Sequence, residues 1–280
     1  MSRFVLPLLA VGLTISLLAF AANGGWRPGQ ALEQALLFHP APYPKSWLPP
    51  PNGFPVEDVW LQSADGDRLH AWWVAQPCSR GAILYLHGNA GNVSHWLASA
   101  YMLSKQLGES LLIVDYPGYG RSTGTPSEEG CYAAARAARD WLVNAKQVAQ
   151  RDVILFGQSL GGGVATQLAM EQPPRALVLV KTFTSIPDVA KKSWISSASA
   201  SLVKNRFASI DKVGKCRCPV FVAHGDQDRV IPLAQGQQLY KAARQPKQFL
   251  LLKGSGHNDL LPMSFYGELR GFLTVDSGAP

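Results

Sequence analysis

The chain has 280 residues and a formal net charge of +7, from 26 lysine and arginine residues against 19 aspartate and glutamate residues. Only 16% of the residues are charged and 47% are apolar, which excludes a disordered chain because disorder needs low hydrophobicity and abundant charge. Glycine shows no three-residue period, no heptad pattern persists and there are only four cysteines, which excludes collagen, coiled-coil and disulfide-scaffold classes. One sizeable domain, or at most two, remains.

The amino terminus begins with an uncharged apolar segment, Phe4 to Ala22. Its nineteen residues would form a helix of about 28 Å, close to the roughly 30 Å hydrocarbon core of a bilayer. We expect residues 1–22 to be a membrane anchor; a cleaved signal peptide ending near Ala21 and a buried core helix are the alternatives. Because the positive flank, at Arg3, stays inside, the following domain is expected on the exported side, or secreted after cleavage.

Residues 23–55 are expected to be a tether or an ordered strap, because the prolines between Pro40 and Pro51 disfavour helix and sheet interior. Phe38 and Trp47 are the side chains that could anchor a strap on the domain. Both interpretations remain open at this stage.

From residue 56 to about 275, strand-length apolar runs alternate with helix-length segments. The first two runs, around the Asp65-Gly66-Asp67 turn, predict an antiparallel pair. The later runs lack a polar face, as in strands buried on both sides. The chain therefore predicts an α/β fold: a mostly parallel, doubly wound sheet of about eight strands. A stretch rich in serine, alanine and lysine, about 184–215, predicts a small helical cap inserted over the carboxyl ends of the strands.

The chemistry-bearing motif is Gly157-Gln158-Ser159-Leu160-Gly161, which directly follows an apolar strand and opens a helix-length segment. This context predicts a tight strand-to-helix turn that exposes the Ser159 hydroxyl as a nucleophile. Such a serine needs a base and an orienting carboxylate. In an α/β fold of this type the acid is expected first in the sequence and the histidine second, each just after a later strand. His257 fits the base, and Asp226 or Asp228 the acid, since spacing alone does not separate them.

The remaining polar residues of these loops receive roles by position. Backbone N–H groups of Leu160 and of Asn89, in the loop His87-Gly88-Asn89, are expected to bind an oxyanion. We expect His87 and His224 to make structural hydrogen bonds, and Asp259 to cap the final helix.

These motifs, together with Asp115-Tyr116-Pro117-Gly118-Tyr119-Gly120-Arg121-Ser122 and the run from His224 to Pro232, resemble the α/β-hydrolase superfamily. Over roughly residues 36–273 the chain is similar to its membrane-anchored branch, which includes protein depalmitoylases and lysophospholipid-type lipases. The resemblance implies Ser159 as nucleophile, Asp228 as acid and His257 as base. The eukaryotic depalmitoylases carry an amino-terminal cysteine cluster, whereas no cysteine precedes Cys78 here.

The sequence therefore predicts a serine hydrolase that cleaves acyl esters or thioesters, with no metal or organic cofactor. Its expected partners are a small-molecule or lipid acyl ester and a membrane, and not nucleic acid. A serine peptidase of the same fold and a non-catalytic binding scaffold are the alternatives. Between residues 181 and 217, eight lysine and arginine residues stand against two aspartates, so the cap is expected to be either a solvated basic face or a surface that meets anionic headgroups.

Overall fold

The computed structural model describes residues 28–191 and 203–275. The expected anchor at residues 1–22 and the middle of the expected cap lie outside these ranges. Among the described residues, no helix is both long and apolar enough to cross a membrane. The amino-terminal unit, residues 1–39, contributes one described helix, α1 (Pro28–Leu37).

Strands and helices alternate through the described residues from 56 onward, as the apolar pattern predicts. The strands are β1 (His39–Pro40), β2 (Glu57–Gln62), β3 (Arg68–Val74), β4 (Ala82–Leu86), β5 (Ala90–Gly91), β6 (Ser110–Val114), β7 (Val153–Gln158), β8 (Ala176–Val180), β9 (Val220–Gly225) and β10 (Lys247–Leu252). The helices are α2 (Val93–Leu107), α3 (Glu128–Asn144), α4 (Leu160–Glu171), α5 (Ile186–Ala190), α6 (Ile210–Val213), α7 (Leu233–Ala242) and α8 (Met263–Val275), with a 3₁₀ turn at Gln150–Asp152.

Eight of these strands form one sheet in the order β10-β9-β8-β7-β4-β6-β3-β2. Neighbours pair in parallel except at β3, which is antiparallel to both β2 and β6. The predicted fold class, the number of strands and the antiparallel β2–β3 pair are confirmed. Every residue of β4, β6, β8 and β9 is buried, because helices cover both faces of these strands.

Five helices pack against the sheet. On one side, α2 and α8 pack over alternate strand residues, where Tyr85, Phe156, Phe221 and Phe265 fill the centre of the core. The other side is covered by α3, α4 and α7, and α6 packs between α4 and α7. Ser127 caps the amino terminus of α3, since its side chain accepts a hydrogen bond from the Gly130 N–H. These layers leave the carboxyl ends of the parallel strands free to carry loops.

Residues 41–48, called the strap segment below, are hydrogen-bonded along this carboxyl edge. The Ala41 N–H donates to Gly91 O (2.9 Å) and the Tyr43 N–H to Gly120 O (2.8 Å). Asn92, at the start of α2, donates from Nδ2 to Ala41 O at 2.7 Å. Trp47 packs edge-on against Trp72, with ring centroids 5.0 Å apart. This part of the Pro-rich region is thus attached to the loops that follow β4 and β6.

Candidate active site

Ser159 occupies a strained turn between β7 and α4. Its φ of +53° lies in the left-handed region, which is costly for a residue with a Cβ and is maintained at functional sites by surrounding structure. The Ser159 N–H donates to Val180 O (3.0 Å), and the Thr182 hydroxyl donates to Ser159 O (2.7 Å). These bonds to the end of β8 and to the segment just beyond it hold the serine backbone, so that the side chain is presented at the sheet edge.

Glycine is required on the helix side of this turn because the backbone of β4 passes beside it. A Cβ on Gly161 would lie 1.9 Å from Leu86 O, and a Cβ on Gly157 would lie 2.4 Å from Gly161 O. Neither carbonyl belongs to a movable side chain. The glycine at 161 therefore follows from the close approach of the turn to β4, and the glycine at 157 from the close approach of the strand end to the start of α4.

A continuous line of hydrogen bonds joins Ser159, His257 and Asp228. The Nε2 atom of His257 lies 3.1 Å from Ser159 Oγ, and Nδ1 lies 2.7 Å from Asp228 Oδ2. The Asp228 side chain is fully buried, whereas 13% of the His257 side chain is exposed. Residues 98 and 29 positions apart in the chain thus meet at the carboxyl edge of β7, β9 and β10.

Asp228 is held as a carboxylate by donors on both of its oxygens. Oδ1 accepts the N–H groups of Val230 (2.9 Å) and Ile231 (2.8 Å). Burial acts to raise the pKa of Asp228, but the hydrogen bonds from His257 and the Ile231 amide outweigh it and hold the pKa below its ordinary value. An ionised Asp228 fixes a proton on His257 Nδ1, which leaves Nε2 as the acceptor facing the serine.

The other aspartates of these loops do not reach the imidazole. Asp226 is exposed, and its Oδ1 accepts the Gly254 N–H at 2.7 Å, which fastens the β9 loop to the β10 loop. Asp259 does not cap the final helix as expected, since that helix begins four residues later, at Met263. Its Oδ2 instead accepts the Gly256 N–H (2.7 Å) and closes the turn that carries His257. The prediction for Asp259 was wrong because the chain makes a separate turn before α8.

The two expected oxyanion donors border the serine. Leu160 is the first residue of α4, where N–H groups have no acceptor within the helix. A Cβ placed on Gly88 would lie 3.5 Å from Ser159 Cβ, so the His87-Gly88-Asn89 loop passes directly beside the nucleophile. The loop is fixed from behind, since the Tyr119 hydroxyl donates to Asn89 O at 2.7 Å.

Two histidines at strand ends support these loops rather than the reaction centre. His87 is bonded through Nδ1 to Gly88 O (2.7 Å), and His224 through Nε2 to Ile231 O (2.9 Å). Both rings are buried, and burial lowers the pKa of each below the ordinary value for histidine. The structure therefore shows the hydrogen-bonding role that the sequence predicts for them.

Sequence reasoning missed two residues at the site. Trp96, from α2, lies over the oxyanion loop, where its ring is 3.0 Å from the Cβ position of Gly88 and its Nε1 donates to Ala90 O (2.9 Å). Lys181, immediately after β8, is completely buried and donates from Nζ to Asp259 O at 2.7 Å. For Lys181 the sequence does hold a signal, because a lysine there interrupts an apolar run at the end of a strand.

The described part of the basic stretch is not a uniform cationic surface. Lys181 is buried at the site, Lys212 donates to the Tyr132 hydroxyl (2.9 Å), and Lys191 pairs with Asp188 (3.0 Å). The short helices α5 and α6 begin and end the described part of the expected cap. All four cysteines are free thiols, and no His, Cys, Asp and Glu cluster within the described ranges is arranged as a metal site.

The sheet order together with the strand-serine-helix turn defines an α/β-hydrolase fold, and the comparisons agree. A family model described as the alpha/beta hydrolase fold matches residues 81–193. The Pyrococcus furiosus esterase Pf2001 superposes with a TM-score of 0.69 at 18% identity, over 85% of this chain and 97% of its own.

Sequence relatives give the family. Protein bem46 of Schizosaccharomyces pombe is 31% identical over 240 residues, 81% of this chain and 80% of its own. The alpha/beta hydrolase domain-containing protein WAV2 of Arabidopsis thaliana is 35% identical over 210 residues, 68% of each chain. This chain belongs to the family of alpha/beta hydrolase domain proteins.

Proposed function

We propose that this protein is a serine hydrolase that cleaves acyl ester or thioester bonds through a covalent acyl-enzyme. The observation that carries the proposal is the line Asp228–His257–Ser159, with separations of 2.7 and 3.1 Å, ending on a serine held at positive φ. A serine hydroxyl becomes an effective nucleophile when an adjacent, oriented base removes its proton. The esterase among the structural neighbours supports the same reaction class.

In the proposed mechanism Ser159 Oγ attacks the acyl carbonyl while His257 Nε2 takes the hydroxyl proton. Asp228 stabilises the imidazolium that forms and does not itself take the proton. The tetrahedral oxyanion receives the N–H groups of Leu160 and Asn89, each worth about 3 kcal/mol in the transition state. Its collapse expels the alcohol or thiol, which leaves with the proton from His257. Water then attacks the acyl-enzyme while His257 takes its proton, and the carboxylic acid product leaves as His257 returns that proton to Ser159.

Exposed apolar side chains on the two triad loops and at the start of α8 favour an apolar acyl group. Val230, two residues beyond Asp228, is 54% exposed, and Leu260 and Met263, beyond His257, are 81% and 61% exposed. Large side chains with this exposure beside a reaction centre supply apolar surface to a bound substrate. This supports a lipid or lipidated protein as the source of the ester, in agreement with the proposed membrane location.

Covalent labelling tests the proposal directly. A fluorophosphonate probe should label the wild-type protein at Ser159 and should not label Ser159→Ala. A folded wild-type protein that does not react with the probe would overturn the proposal.

Acyl-chain selectivity is tested with p-nitrophenyl esters from acetate to palmitate. We expect kcat/KM to rise towards the longer chains, because they cover more apolar surface. A preference confined to acetate would count against a lipid substrate. Fluorogenic aminopeptidase substrates serve as the control for the peptidase alternative, and they should remain uncleaved.

The proposed location is a membrane, through residues 4–22, with the catalytic domain on the exported side. The uncharged composition of that segment supports this proposal. The full chain should sediment with membranes and stay there after carbonate washing, whereas a chain lacking residues 2–22 should be released. A shortened, freely soluble product of the full chain would favour a cleaved signal peptide instead.

A further inference from the structure

Lys181 stands at the centre of the catalytic edge although no step of the mechanism uses it. It follows β8, the strand between β7, which leads to Ser159, and β9, which leads to Asp228. Its φ is +48°, so it shares a positive φ with Ser159, which follows the adjacent strand β7. The Lys181 N–H donates to Ala223 O at 2.8 Å, which extends the β8–β9 pairing by one residue. This backbone directs the side chain inward.

The side chain of Lys181 ends on the loop that carries the catalytic histidine. Its Nζ donates to Asp259 O at 2.7 Å. The Asp259 carboxylate in turn accepts the Gly256 N–H at 2.7 Å, which closes a four-residue turn. His257 lies inside that turn. Lys181 Nζ thus donates to the far end of the turn and fixes the turn to the central sheet.

Burial of the Lys181 ammonium group has a large desolvation free energy. Lys181 is fully buried, and burial lowers its pKa, while the charges of Asp259 and Asp228 act in the opposite direction. A methionine would occupy a similar volume without the desolvation cost. The stability of the sheet therefore does not account for a lysine here, whereas a donor for the Asp259 carbonyl does.

We propose that Lys181 is a positioning residue that holds the His257 turn against the sheet, so that Nε2 stays within hydrogen-bond reach of Ser159 Oγ. The inference rests on the proposed function, because it assigns His257 as the general base. It adds a residue that touches neither substrate nor the reacting atoms but determines where the base lies.

The test compares Lys181→Met with Lys212→Met. Lys212 is a matched control because it is also largely buried and donates one hydrogen bond, to the Tyr132 hydroxyl, in the segment preceding β9. We expect Lys181→Met to lower kcat about 10- to 100-fold, since displacements near 1 Å have effects of that size, with KM changed little. Its rate of fluorophosphonate labelling should fall by a similar factor, and its melting temperature should be unchanged or higher. Lys212→Met should keep the wild-type kcat.

The possible outcomes separate this inference from the proposed function. Failure of the wild-type protein to label would overturn the proposed function itself. A wild-type protein that labels, together with a Lys181→Met variant of equal kcat and labelling rate, would overturn the positioning role alone. A loss of kcat that only matches a loss of folded protein, measured by thermal unfolding and by titration of the reactive serine, would also overturn it.

Discussion

Replacement of Asp228 by asparagine would reverse the direction of the hydrogen bond between residue 228 and His257. Oδ1 of Asp228 accepts two backbone N–H groups, from Val230 and Ile231, at 2.9 and 2.8 Å. An asparagine at 228 therefore keeps its oxygen at this position and turns its NH₂ group towards His257. Because that group only donates, His257 Nδ1 must accept, and the ring proton moves to Nε2. Nε2 then cannot take the proton of Ser159.

We expect Asp228→Asn to lower kcat about 10⁴-fold, the loss that the wrong histidine tautomer causes in a serine protease. This corresponds to about 5 kcal/mol of transition-state stabilisation. The matched control is Asp226→Asn, since an amide oxygen can still accept the Gly254 N–H that Asp226 accepts at 2.7 Å. Its loss should stay below about threefold, as for other surface substitutions.

The assay is turnover of p-nitrophenyl butyrate, with thermal unfolding to verify that both variants are folded. A larger loss at 226 than at 228 would refute the assignment of the acid. A loss of less than about tenfold at 228 would refute the tautomer argument, because it would show that the base still works with its ring reversed.

Two further predictions concern stability, and a third concerns the attachment of the strap segment. Gly161→Ala should lower the free energy of unfolding by at least about 3 kcal/mol, since its Cβ meets the β4 backbone. Gly267→Ala, on α8 with open space around the Cβ position, should raise the free energy of unfolding by about 0.5–1 kcal/mol. Equal urea midpoints for the two variants would contradict this prediction. Burial lowers the pKa of His87 and His224, so below about pH 6.5 these two residues take up protons in the unfolded chain and not in the folded one. The urea midpoint should therefore fall between neutral pH and about pH 5.5. A midpoint that rises over this range would refute the prediction. Asn92→Asp keeps the cap of α2 but loses the donor to the strap segment, so trypsin should cleave that segment faster; an unchanged rate would show that this donor does not hold it.

The sheet could be predicted because burial on both faces leaves an unbroken apolar run. The eight runs from β2 to β10 appear in the sequence as continuous or alternating apolar segments, and a parallel sheet with crossover helices accommodates that order. Ser159 and His257 could be placed because a glycine-flanked turn and a loop after the last strand are local features. Such local features can be recognised in the sequence without knowledge of the folded structure.

The choice between Asp226 and Asp228 could not be made from spacing, because both residues lie on one irregular loop. What separates them is burial: Asp226 faces solvent and fastens Gly254, while Asp228 turns inward to the two backbone donors. Burial of a loop side chain depends on which other loops pack beside it. That information is absent from the residues themselves.

The basic stretch, residues 181–217, shows the same limit of prediction from sequence. The charge count predicts its lysines as part of one basic cap, yet Lys181 is buried beneath the histidine turn and Lys212 lies against Tyr132. A count of charges records how many there are and not which way they point. It therefore includes Lys181 in the cap, although Lys181 Nζ contacts the turn that carries His257.

The strap segment forms part of the support of the sheet edge that bears Ser159. It is hydrogen-bonded to Gly91 and Gly120, in the loops after β4 and β6, and Gly91 lies two residues from Asn89. A change that loosens residues 41–48 would therefore reach the loop that bears an expected oxyanion donor before it reached the core of the sheet.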